Sequence, residues 1–112
     1  MPDIIKVAAT SLTTSVAGAI AGVIRENGRA DVQAIGASAV NQAVKAIAIA
    51  HGYLQTDAID IVCRPRFVEV DIGGQERTAM RFGVEVQPAK PEGASETPTA
   101  SGPSTLDQSL SA

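Results

Sequence analysis

Cysteine and histidine occur once each, as Cys63 and His51. A single cysteine rules out an internal disulfide. One thiol and one imidazole also fall short of the several nitrogen and sulfur ligands of a zinc site. Cys63 lies in "IVC", the pattern of a packed strand, and has no recognisable acid–base partner, so it reads as a buried thiol rather than a nucleophile. His51 reads as a helix-end residue. Tryptophan is absent and aromatic residues make up 3% of the chain. A core built mainly from Ala and Val buries little area per side chain, so it gains from close packing or from a partner subunit. Positive charge is not in excess either: 9 basic and 12 acidic residues give a net charge of −3. That argues against histone-like binding of nucleic acid by bulk charge and leaves only a local basic patch.

Long apolar runs are missing as well. Val16–Ile24 is apolar but ends at Arg25 after nine residues, whereas roughly 20 are needed to span a bilayer. The start, "MPDIIKVAAT", lacks a secretory signal, so the expectation is a cytoplasmic protein with no membrane association. Asp31, Asp57 and Asp60 lie near strand starts without a His, Cys or Lys in a catalytic arrangement, and read as caps and turn residues. No enzyme activity and no cofactor or metal are expected.

Composition changes at Pro88. Residues 88–112 hold four of the six prolines and almost no large apolar side chain, which marks a disordered Pro/Ser/Thr-rich tail. The preceding residues, 1–87, form one domain. They hold eight basic and nine acidic side chains, so the domain is close to neutral and has room for a basic patch.

Within the domain, "IIKVAA" (Ile4–Ala9) has strand alternation, with Ile5, Val7 and Ala9 on one face. "TSLTTS" offers N-cap candidates for a helix from about Ser15 to Asn27, closed by Gly28. Val16, Ile20, Val23 and Ile24 form its apolar stripe, and Ala17, Gly18, Ala21 and Gly22 favour close helix packing. A second strand is expected at Asp31–Gly36. Ser38 is a candidate cap for a second helix that ends near Gly52. Two long strands follow, Ala58–Ile72 and Gln75–Gln87, joined by Gly73-Gly74, the signature of a two-residue hairpin. The order β-α-β-α-β-β, with right-handed crossovers, places two helices on one face of a four-stranded mixed α+β sheet.

The second helix carries Val40, Ala43, Val44, Ile47 and Leu54 on one stripe, and Ala46, Ile49 and Tyr53 on another. Apolar residues on two sides imply a second covering surface, so a homodimer is expected through Ala46, Ile49 and Tyr53. Counting outward from the glycines pairs Ile72 with Gln75, Val70 with Arg77, Val68 with Ala79 and Arg66 with Arg81. The alternate face holds Ile61, Cys63, Pro65, Phe67, Met80, Phe82, Val84 and Val86, and is expected to cover the core. Towards the tip, Val68, Val70 and Ile72 share a face with arginines, which describes a projecting arm. Val68 and Val70 are candidates for the subunit interface. Four of the eight basic residues of the domain, Arg64, Arg66, Arg77 and Arg81, lie on this hairpin and are candidate contacts for nucleic acid. The turn "IGASAVNQ" reads mainly as packing and capping, with a secondary phosphate contact open at Ser38, Asn41 and Lys45.

"SVAGAIAGVIRENG", "QAIGASAVNQAVKAIAIAHGYL" and "GGQERTAMRFGVEV", spread over residues 4–87, resemble the stage V sporulation protein S family. The resemblance implies a small Alba-like fold, commonly dimeric. Alba-type proteins bind DNA or RNA through loops above the sheet and a hairpin arm, and the sporulation family is linked to spore development and septation. Alba proteins carry basic residues after the first strand and before the second helix; "ATSLTTS" and "IGASAVNQ" carry none, so the fold alone does not transfer the chemistry. The reading that follows is a dimeric nucleic-acid-binding regulatory protein. The alternative is a protein–protein adaptor that uses the hairpin's apolar stripe.

Overall fold

The computed structural model describes residues 4–88. The proposed disordered tail lies outside the described residues, apart from Pro88. Four strands and two helices alternate as β1 (Ile5–Val7), α1 (Thr13–Asn27), β2 (Arg29–Ala34), α2 (Ala37–Gln55), β3 (Ile61–Ile72) and β4 (Gln75–Val86). The sheet order is β1-β2-β4-β3. β1 and β2 run parallel, and the other two pairings are antiparallel. The chain therefore has the mixed α+β topology expected from its sequence, with β3 as an edge strand.

Alternation along paired strands gives the sheet two faces. Val7, Ala30, Val32, Ala34, Phe82 and Val84 share one face and form a single buried cluster with Ala17, Ile20, Ala21 and Ile24 of α1 and Ala39, Ala43, Ala46, Ala50 and Leu54 of α2. Both helices thus cover the same face, and the opposite face carries none. The small side chains have a packing role: Ala17 and Ala21 are fully buried and let α1 approach closely. Gly18 and Gly22 have open space where a side chain would stand, so they are not the close-packing residues.

α2 departs from its sequence pattern in several respects. Its buried stripe runs through alanines, Ala39, Ala43, Ala46 and Ala50, and ends at Leu54, while Val44 is about half exposed. Ala46, expected at a subunit interface, is buried in the chain's own core. The helix continues past Gly52 to Gln55, because the burial of Leu54 outweighs the modest helix penalty of an exposed glycine. Ser38 is not the cap: α2 begins at Ala37 with Gly36 as its N-cap residue, and no side chain caps it. α1 likewise starts two residues before the expected Ser15, after Leu12, without a side-chain cap. Gly28 ends α1 in the left-handed conformation, its N–H donating to the Ile24 carbonyl at 2.8 Å.

The hairpin register agrees pair by pair with the count from the glycines, from Ile72–Gln75 to Ile61–Val86. Gly73 and Gly74 have φ of 60° and 81°, as a primed turn requires. Its helix-side face covers the core only in part. Phe82 and Val84 are buried and Ile61 packs against the cluster, but Cys63, Pro65 and Phe67 on the edge strand are exposed. No helix reaches that far across the sheet. Cys63 is consequently not the buried thiol that "IVC" implied, although partial burial still pushes its pKa above the ordinary thiol value.

Candidate nucleic-acid interface

The helix-free face of the sheet collects the basic residues. Register places Lys6 of β1 beside Gln33 of β2, Gln33 beside Arg81 of β4, and Arg81 beside Arg66 of β3. Arg64 lies beside Gly83, and Arg77 beside Val70 further along the arm. Arg29 pairs across to Glu85, and Asp31 to Gly83. Six basic side chains therefore share this face with two acidic ones, Asp31 and Glu85. Glu69, Asp71 and Glu76 fall on the other side of the hairpin. The charges of a net-acidic chain are segregated by strand alternation.

Ion pairs sharpen the contrast. Arg29 meets Asp31 at 3.1 Å and Glu85 at 3.8 Å. Arg25, near the end of α1, meets Asp57 at 2.7 Å. Among the described residues, Lys6, Arg64, Arg66, Arg77 and Arg81 form no ion pair. Arg66 and Arg81 stand directly opposite each other, an arrangement of like charges that opposes strand pairing. Arg81 is held by the carboxamide of Gln33, its Nε donating to Oε1 at 3.1 Å and a terminal nitrogen donating to the same oxygen. Gln33 is buried, at 8% exposure. Arg66 lies over Gly83: its Nη1 and Asp31 Oδ1 are each 3.9 Å from where a Cβ on that glycine would stand. The bare glycine leaves room for the Arg66 side chain beside it.

The structure separates the residues that the sequence grouped together. Arg64, Arg66, Arg77 and Arg81 share the helix-free face, whereas Ser38, Asn41 and Lys45 are exposed on α2, in the layer behind the sheet. Of the residues expected at a subunit interface, Tyr53 is exposed, Ile49 is half-buried, and Val68 and Val70 are half-buried on the helix-free face. Sequence reasoning missed Lys6 and Gln33. The alternation of "IIKVAA" and "DVQA" carries their facing, but only the adjacency of β2 to β4 brings them to the hairpin arginines.

The arm does not stand clear of the domain. Val70, Asp71 and Ile72 line a cavity of about 370 Å³ together with Lys6–Ala9, Gln33–Ile35 and Ala39. The hairpin tip therefore comes over the C-terminal ends of β1 and β2, and the stripe expected to meet a partner is partly taken up by the chain itself. Further down, His51 Nε2 lies 3.1 Å from Asp60 Oδ1, an acceptor that also receives the Ile61 N–H at 3.0 Å. That pair ties the end of α2 to the start of β3 and gives Asp60 and His51 structural roles. No helix of the described residues is long and apolar enough to cross a membrane.

With this geometry goes a family match: the model of the stage V sporulation protein S (SpoVS) family matches residues 3–87, nearly all of the described residues.

Proposed function

The chain belongs to the stage V sporulation protein S family, which suggests a sporulation-related role, and we propose that it acts there as a dimeric, cytoplasmic, nucleic-acid-binding regulatory protein rather than as an enzyme. The observation that carries this reading is the row Lys6–Gln33–Arg81–Arg66, flanked by Arg64, on the helix-free face. Unpaired guanidinium groups on an uncovered face are suited to phosphate oxygens. Their number is small, so affinity is modest and falls with salt only in proportion to the few phosphates neutralised. Dimerisation is supported by large apolar groups left uncovered on the helix side, Val44, Tyr53 and Phe67. Pro65 on the edge strand removes one backbone donor there, which disfavours joining two sheets edge to edge. The adaptor reading draws on the same apolar groups, Phe67 being 73% exposed.

The test is fluorescence anisotropy of the full chain with DNA and RNA, single-stranded and duplex, over a salt series. The expected slope of log affinity against log salt is about −0.9 for each duplex phosphate neutralised, and Arg66→Ala reduces its magnitude by about one contact. Arg66 is the clean choice, because loss of Arg81 also leaves the buried Gln33 oxygen without its donor. Substitution of Asn41 and Lys45 leaves affinity unchanged if the helix-free face is the interface. Absence of salt-dependent binding, or loss of it only on α2 substitution, refutes this assignment. Sedimentation of the parent and of Tyr53→Ser tests the dimer.

A further inference from the structure

The cavity under the hairpin tip has a polarity that neither packing nor the arginine row explains. Gln33 is buried at 8% exposure and lines it. Its oxygen is committed to Arg81. Arginine has no acceptor, so the carboxamide must turn its oxygen to Arg81 and its NH2 away. That NH2 has no partner among the described residues, yet it is not sealed off, since no buried side-chain nitrogen or oxygen is left unsatisfied. It therefore opens onto accessible space. Lys6, directly beside Gln33 in the parallel ladder, lines the same cavity and has no ion-pair partner among the described residues. The first turn of α2 contributes Ala39 to the wall, carries no acidic residue and has no side-chain cap. Lys6, Gln33 and Ala39, the last in the uncapped first turn of α2, thus line one space. The only acidic side chain in the lining is Asp71, at the tip of the arm.

We propose that this cavity is a phosphate-binding site, built from Lys6, the Gln33 carboxamide nitrogen and the first turn of α2, with Asp71 limiting its affinity. The site is separate from the arginine row but joined to it through Gln33, whose oxygen Arg81 holds in place. Two sources supply the same group: a backbone phosphate of a bound nucleic acid, or a free phosphate or phosphate monoester. The first source rests on the nucleic-acid reading above; the second does not.

The test is a titration of the isotope-labelled full chain with inorganic phosphate against chloride at matched ionic strength, read by NMR at the Gln33 side-chain NH2 and the Ala37–Ala39 amides. Saturable shifts confined to these groups are expected. Lys6→Ala or Gln33→Leu weakens binding about tenfold, as loss of one charge-assisted contact does. Asp71→Asn strengthens it several-fold, a gain that a purely structural role cannot produce, while Glu76→Gln, on the same side of the arm but outside the cavity, has a smaller effect. A short oligonucleotide that shifts the same resonances and competes with phosphate identifies the backbone as the source. An oligonucleotide that leaves them unmoved identifies a small phosphate compound. Phosphate that shifts nothing beyond chloride, or equal binding by the Lys6 and Gln33 variants, overturns the site. Oligonucleotide binding that depends on Arg66 would still stand in that case, so the two readings fail separately.

Discussion

Replacing Gly36 by alanine isolates one term in the stability of the β2–α2 junction. Gly36 has φ 93° and ψ 154°, a region that side-chain-bearing residues occupy only under strain. An added Cβ would meet nothing within 4 Å, so steric overlap with neighbours contributes nothing. The cost is then the backbone conformation itself, about 1–3 kcal/mol. At about 4–8 °C of Tm per kcal/mol for a domain of this size, a cost near the middle of that range lowers Tm by about 8–16 °C. The assay is urea denaturation followed by far-UV circular dichroism, with Gly18→Ala measured beside it. Gly18 lies in α1 with ordinary helical geometry and equally open space, so alanine there stabilises by about 0.5–1 kcal/mol. The two glycine-to-alanine changes must differ in sign. If Gly36→Ala unfolds at the same urea concentration as the parent, the junction relaxes into an ordinary conformation and the strain argument fails. A loss of stability shows that the turn in "IGAS" is made by a glycine conformation, as expected where no side chain caps α2.

Two further outcomes follow from burial. Leu54→Ala removes a side chain with no exposure and is expected to cost about 2–5 kcal/mol, with loss of helical signal from the turn beyond Gly52; a Leu54 that lay exposed beyond a frayed helix end would lose almost nothing, and calorimetry distinguishes the two. Cys63, the only thiol, is exposed, but partial burial holds its pKa above the ordinary value of 9.0. Alkylation by iodoacetamide therefore proceeds on the folded protein, more slowly than on a free thiol at the same pH, and its pH midpoint lies higher. The linked stability is present below the ordinary thiol pKa and declines as pH rises through the raised one. A midpoint at or below that of a small free thiol, read by mass spectrometry, contradicts this.

The hairpin was legible almost completely. A two-residue glycine turn sets the register of the strands on either side, and alternation assigns every side chain to a face. The first helix was legible in its stripe and in its Gly28 stop. The second was less so. Its buried line is alanine, whose weak hydrophobic signal is overshadowed by Val40, Val44 and Ile47, and its last turn depends on a contact made by Leu54 with the rest of the core. The arginine half of the candidate interface could be named from local enrichment. Gln33 and Lys6 could not, because an isolated Gln and an isolated Lys on short strands carry no pattern of their own.

Sequence by itself determined what depends on near neighbours in the chain: the order of elements, the primed turn, the alternation that separates the hairpin arginines from Glu69, Asp71 and Glu76, and the left-handed end of α1. Tertiary structure decided what depends on residues far apart. It placed β4 between β2 and β3, which put Gln33 against Arg81 and left Cys63, Pro65 and Phe67 beyond the reach of the helices. It also brought the hairpin tip over the ends of β1 and β2, so that a cavity formed where the sequence described a free arm. Local conformation follows from backbone sterics and side-chain periodicity over a few residues, whereas strand adjacency is selected by burial of the whole core at once.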